Sequence, residues 1–260
     1  MSHHLVEAID VYYAYPDGHH ALQGISFRIS HGESVAVVGA NGAGKSTLLM
    51  LLLGLMFPAR GEVRVGDALV TRKTLPLVRK AMGMVLQDPD DQLFMPTVFD
   101  DVAFGPRNAG LDEREVARHA ESALQAVGIS HLRGRAPFKL SGGEKRAASI
   151  ATVLSMLPDI LVMDEPTAGL DPRARRMVKD LLRGFSHTKI IASHDLELVW
   201  ELCERTLVLT QGTVAADGPT RQVLGDAALM ERCGLEVPYG LRACPQCGFT
   251  PATGRPTANA

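Results

Sequence analysis

Short continuous apolar runs recur along the chain, each broken by glycine or by polar residues. Val35-Ala36-Val37-Val38, Met82-Gly83-Met84-Val85-Leu86, Ile160-Leu161-Val162-Met163 and Ile190-Ile191-Ala192 are too short for helices. Rich in β-branched residues, they predict buried strands of a mainly parallel sheet. Residues 5–29 instead carry shorter apolar pieces around Tyr15-Pro16-Asp17-Gly18, which predicts a turn in a small antiparallel sheet. Gly61 to Gly66 reads as a further hairpin-like strand, and Leu207–Leu209 with Thr213–Ala215 as a closing hairpin around Gly212. Helical spacing is found elsewhere. Leu48 to Met56 is leucine-dense, and Val116, Ala120, Ala123, Leu124 and Val127 form a stripe. That stripe starts after Asp112 and Glu115, at capping-box spacing, and stops at Gly128 as a C-cap. Ser141-Gly142-Gly143-Glu144 opens a helix through Ala147, Ala148, Ile150, Ala151 and Leu154. The polar, proline-punctuated stretch from Asp88 to Pro137 predicts a helical insertion, and the last thirty-odd residues predict loose order. The order of elements gives one large α/β domain with appendages.

The chemistry begins where the first buried strand ends. Gly39-Ala40-Asn41-Gly42-Ala43-Gly44-Lys45-Ser46-Thr47 is G-x-x-x-x-G-K-S between a strand and a helix, a phosphate-binding loop. Glycines let the backbone turn N–H groups inward, and the helix start adds roughly half a positive charge. Lys45 is placed for the β- and γ-phosphates and the Ser46 hydroxyl for Mg²⁺. The pattern therefore implies a bound nucleoside triphosphate. Ile160–Met163 delivers Asp164 and Glu165 at a strand C-terminus, where ligands of open α/β sheets sit. Asp164 suits a Mg²⁺ shell and Glu165 a general base acting on water. His194 ends the Ile190 strand, where a histidine can meet the γ-phosphate or instead serve the core. Tyr15, thirty residues before Lys45, is either an adenine platform or a hairpin aromatic. The two glycines after Ser141 leave a helix N-terminus bare enough for an outside phosphate.

Composition narrows the classes. The chain has 260 residues, is 46% hydrophobic and has a formal net charge of −2, so bulk charge gives no reason to expect nucleic acid. Its longest strongly apolar run, Leu48 to Phe57, is about half a bilayer span. The first residues lack a basic segment followed by an apolar one, so no secretion signal is expected. Four cysteines predict reduced thiols in the cytoplasm. Cys244-Pro245-Gln246-Cys247 supplies two ligands where tetrahedral zinc needs four, leaving Cys233 or a partner chain to complete any site.

Taken in order, these motifs resemble the ATP-binding-cassette (ABC) ATPases over roughly residues 5–225. The matching positions are the Lys45 loop, Gln87, Leu140-Ser141-Gly142-Gly143-Glu144, Met163-Asp164-Glu165-Pro166, Gly169-Leu170-Asp171 and His194. The resemblance implies an α/β P-loop NTPase fold with a RecA-like core, an N-terminal antiparallel β subdomain and a helical signature subdomain. It divides the chain into an ATPase domain over 1–225, its helical part about 88–157, and a partly flexible extension over 226–260. It implies that Tyr15 and residues Gly39 to Thr47 (Gly39, Asn41, Gly42, Ala43, Gly44, Lys45, Ser46, Thr47) bind ATP. Ser46, Gln87 and Asp164 would hold Mg²⁺, and Glu165, Gln87 and His194 would act in hydrolysis. Ser141, Gly142, Gly143 and Glu144 look like the family signature, which meets ATP on the opposite subunit, and Asp171 like the dimer-interface aspartate. Glu144 departs from the commoner glutamine and brings an acid close to ATP.

Gln87-Asp88-Pro89-Asp90-Asp91-Gln92-Leu93-Phe94 looks like the extra helix of energy-coupling-factor ATPases, and Phe104–Asn108 and Thr167–Asp171 fit that group. This implies a homodimer or heterodimer of ATPase subunits on the cytoplasmic face of the membrane, with transmembrane and substrate-capture subunits and no nucleic acid. The single-ATPase cobalt/nickel importers are the nearest likeness; another importer, with a vitamin cargo for example, is the alternative. A soluble repair or chromosome ATPase would need a long coiled coil between loop and signature, and only 96 positions separate Lys45 from Ser141. A translation-associated relative would carry two cassettes, and a scaffold with a dead site would lack some catalytic position.

Overall fold

The computed structural model describes residues 4–242, which fall into two compact units, 4–71 with 190–242 and 72–189. In the first unit the chain runs through β1 (His4–Ala14), β2 (His20–Ser30), β3 (Ser34–Val38), α1 (Lys45–Leu52), β4 (Arg60–Val65) and β5 (Ala68–Leu69). The second unit carries α2 (Leu75–Ala81), β6 (Met82–Val85), α3 (Val98–Asn108), α4 (Glu113–Ala126), α5 (Gly142–Leu154), β7 (Ile160–Asp164) and α6 (Pro172–Gly184). Strand β8 (Thr188–Ala192) begins in the second unit and ends in the first. The first unit then closes with α7 (Leu196–Leu202), β9 (Arg205–Thr210), β10 (Thr213–Pro219), α8 (Thr220–Gly225) and α9 (Ala227–Arg232).

The alternating N-terminal pieces form an antiparallel sheet of order β2-β1-β4-β5. Its inward residues, Val6, Ala8, Val11, Ile25 and Ile29, are buried, as one-faced alternation requires. The first unit's other strands follow the order β10-β9-β3-β8. There β3 runs parallel to β9, with Val37 opposite Leu207. All five residues of β3 are buried, matching their unbroken apolar run. In the second unit β6 and β7 pair in parallel, Val85 opposite Met163.

The expected helices appear, with one change at the end of α1. Asp112 caps α4 through the N–H groups of Arg114 and Glu115, and the Val116–Leu124 stripe is buried. Helix α1 stops at Leu52 rather than running to Met56. The chain turns back there, with the N–H groups of Leu55 and Met56 both on the Met50 carbonyl, so the helix is sealed before its apolar run ends.

The extension after residue 225 departs from the expected loose order over its described part. Asp226 caps α9, and Leu229, Met230 and Cys233 are buried. Beyond it, the Tyr239 N–H donates to a Glu197 carboxylate oxygen, and Gly240 packs against the Trp200 indole. Arg221 covers the Trp200 ring at 4.7 Å. The glycine- and proline-punctuated stretch 234–242 hides this order because its partners lie on α7, about forty residues earlier. Cys244 and Cys247 lie outside the described residues, and Cys233 is a buried thiol.

Candidate functional site

The phosphate loop follows from β3. Gly39, Gly42 and Gly44 all have positive φ, at 157°, 78° and 103°. At Gly44 any side chain would be doubly excluded, since a Cβ would sit 2.7 Å from the Ala21 carbonyl oxygen and 2.7 Å from a Leu22 methyl. This tight contact lets the loop pass directly into α1. Lys45 is buried, and its Nζ donates to the carbonyls of Gly39 at 2.7 Å and Ala40 at 3.2 Å. A buried cation resting on neutral acceptors keeps its attraction for an anion. Asn41 and Gly42 are exposed at the crest, and Ala43 is buried beneath it. Ser46 is partly exposed in the first turn of α1, and Thr47 is buried.

Tyr15 comes to this loop. Its hydroxyl is 2.9 Å from Thr47 Oγ1, its ring meets Tyr13 edge-on, and His19 stacks beside it at 6.3 Å. The hydroxyl bond fixes the ring beside the start of α1. His194 is exposed just past β8, and its neighbour Ser193 donates its N–H to the Val37 carbonyl of β3. The histidine is thereby fixed near the end of the strand that launches the loop.

In the second unit, β6 and β7 end side by side. Gln87 is exposed two residues past β6, Asp164 is the last residue of β7, and Glu165 follows it. Both acids are buried, and Glu165 has φ 48°. A left-handed non-glycine residue costs roughly 1–3 kcal/mol and aims the side chain differently from a continuing strand. The run of apolar residues gives no hint of that backbone state.

The Ser141 segment is a complete capping box. Ser141 Oγ accepts the Glu144 N–H, while Glu144 Oε2 receives the Ser141 N–H at 2.7 Å and its hydroxyl at 2.9 Å. These two bonds hold the Glu144 carboxyl below the usual carboxylate range. The acid expected near ATP therefore has its charge directed back into its own helix cap, while Ser141 and Gly142 stay exposed. Asp171 caps α6 in the same way, through the N–H groups of Arg173 and Ala174. The two caps belong to helices in close contact, because a Cβ on Gly143 would lie 2.6 Å from the Ala174 Cβ. Gly143→Val is expected to force α5 from α6 and destabilise the fold by about 1–3 kcal/mol. A thermal unfolding midpoint unchanged from wild type would contradict that packing.

In the second unit the Gln87 amide and Asp164 carboxylate offer hard oxygen donors, as the Ser46 hydroxyl does in the first, and such donors suit Mg²⁺ rather than a softer metal. Among the described residues no cluster of three or more His, Cys, Asp or Glu side chains forms a metal site by itself. No helix among them is long and apolar enough to cross a membrane. The sequence pattern does not single out Arg146, which the fold buries completely. A charge followed directly by Ala147 and Ala148 is the sign of it in the sequence.

The sequence profile described as ABC transporter matches residues 22–168. An ABC transporter ATP-binding protein of Geobacter sulfurreducens is 64% identical over 248 residues, covering 95% of this chain and 100% of that one. The energy-coupling factor transporter ATP-binding protein EcfA of Methanothermobacter thermautotrophicus is 45% identical, over 90% of this chain and 77% of that one. Among solved structures, CbiO1 of Clostridium perfringens, part of the ABC transporter complex cbiONQ, superposes with a TM-score of 0.79. It shows 36% identity over 89% of this chain and 94% of that one. A dimeric ATP-binding cassette bound to ADP and phosphate has a TM-score of 0.74 at 25% identity, over 83% of this chain and 98% of that one. With the phosphate loop, the paired acids and the capped Ser141 helix all in a P-loop fold, this chain belongs to the ABC transporter family, as an ATP-binding subunit of the energy-coupling-factor type whose ATP hydrolysis is coupled to transport.

Proposed function

We propose that this chain powers uptake of a micronutrient, cobalt or nickel ion, as a peripheral subunit on the cytoplasmic face of the membrane. The ATPase domain would occupy residues 1–225, with its helical part about 88–157, and the extension the remainder. In the ATP site, the N–H groups of Gly39 to Thr47 and the Lys45 ammonium receive the phosphates, and Tyr15 offers its ring to the adenine. Ser46, Asp164 and Gln87 would hold Mg²⁺, which when bound supplies positive charge against the phosphate oxygens. Glu165 accepts the proton of the attacking water, and His194 donates a hydrogen bond toward the γ-phosphate. The exposed Ser141–Gly142 helix start and Asp171 serve the nucleotide of a second ATPase subunit, identical or related, so two chains close head to tail on two nucleotides.

One observation carries the membrane assignment: the exposed aromatic pair just after Gln87. Phe94 and Phe104 are 64% and 44% exposed and meet edge-on at 5.0 Å. Apolar rings placed in water beside a catalytic segment suit a partner's helix. Lys145 holds the start of the same segment through Asp90 at 2.6 Å. A transmembrane subunit docked there, with a substrate-capture subunit beside it, would be linked to the nucleotide site by a few residues of chain. The likeness to single-ATPase cobalt/nickel importers supports the cargo reading.

The test is purification from native membranes solubilised in mild detergent, with mass spectrometry of the proteins that follow. Small polytopic subunits are expected, and Phe94→Asp with Phe104→Asp should release them while ATP binding persists. Labelled cobalt and nickel uptake then decides the cargo. A periplasmic or surface binding protein in the complex, or recovery only with ribosomes or nucleic acid, would overturn the reading.

A further inference from the structure

Strand β6 ends at Val85, so the following peptide leaves the ladder with polar groups still to be satisfied. Helix α5 supplies them. The Leu86 carbonyl accepts Arg146 Nη1 at 2.6 Å, and the Gln87 carbonyl accepts Nη2 of the same guanidinium. The Leu86 N–H donates to Gln92 Oε1 at 2.9 Å, and Gln92 Nε2 donates in turn to the Ser149 carbonyl at 2.9 Å and Thr152 Oγ1 at 2.7 Å. Both polar groups of Leu86 and the carbonyl of Gln87 are thus held by side chains fastened to one helix.

The holding group is an expensive choice. Arg146 is 1% exposed, and its Nε is buried without a hydrogen-bond partner. Its bonds go to neutral carbonyls, and the pull of the nearby Asp88 offsets only part of the desolvation, so burial lowers its pKa. An apolar residue on this face of α5 would avoid that cost. The fork geometry does something an apolar residue cannot: it fixes two successive carbonyls at once.

We infer that Arg146, seconded by Gln92, is a positioning residue for Gln87, locking its peptide to the helix whose first turn is Ser141–Glu144. The inference rests on the role given to Gln87 above. Through this clamp, a displacement of the α5 N-terminus by a second subunit moves Gln87 in the same unit, with no need for the intervening fifty residues to transmit it.

A double-mutant cycle on the full chain tests this. Arg146→Lys keeps the charge but loses the fork, so turnover at saturating ATP is expected to fall about tenfold, with the ATP dissociation constant within about twofold of wild type. In a Gln87→Ala background the same substitution should change turnover by less than about twofold. An equal loss in both backgrounds overturns the inference while leaving the role of Gln87 intact. Unaltered turnover in Gln87→Ala alone overturns that role, and the positioning with it. Should Arg146→Lys fail to fold, Gln92→Met removes the other hold on the same peptide. An additive loss in that second cycle is equally fatal.

Discussion

Replacing Glu165 with glutamine is expected to leave ATP binding intact and cut turnover on the order of a thousandfold. The residue is buried at the end of β7 and held at φ 48°. Glutamine has the same length and meets the same backbone strain, so the substitution removes the charge and the proton acceptor and little else. An intact binding site with no base to activate water should hold ATP and accumulate the closed pair of subunits. Phosphate release measured with size-exclusion chromatography in ATP would display both effects. Wild-type release from the variant would remove Glu165 from the base role. Glu165→Gly is a useful contrast, since it loses the carboxylate and relaxes the backbone together.

Lys45→Ala acts at the other end of the reaction. The ammonium spans the loop, bonded to the carbonyls of Gly39 and Ala40. Its loss removes the charge-assisted bonds a phosphate would receive, each about 1.5–3 kcal/mol, and the brace that shapes the loop. Affinity for ATP should therefore fall roughly ten- to a hundredfold, read by calorimetric titration. Unchanged affinity would contradict the loop's assignment. Together the two variants separate binding from chemistry, one raising the dissociation constant and the other lowering only the rate.

What could be read from the chain in advance was what short spacing encodes. The phosphate loop, the N-cap at Asp112, the capping box at Ser141 and the stripe from Val116 to Leu124 each depend on residues within a few turns of one another. Features that depend on distant partners were hidden. Helix α1 gives no local sign of ending at Leu52, because Leu53, Leu55 and Met56 continue its apolar run. The order of residues 226–242 depends on Glu197 and Trp200, and the burial of Arg146 on carbonyls some sixty residues earlier. Glu144 shows the same limit in a milder form. Its identity suggests an acid presented to the nucleotide, whereas the cap geometry turns it inward.

Trp200 is the single tryptophan of the chain, and it lies on the helix that begins two residues after His194. Arg221 covers one part of its indole and Gly240 presses on another. Its emission is therefore an optical signal from one known place, free of background from any sister indole. Time-resolved fluorescence can follow that corner through a catalytic cycle in the unlabelled protein, with no dye attached near the nucleotide.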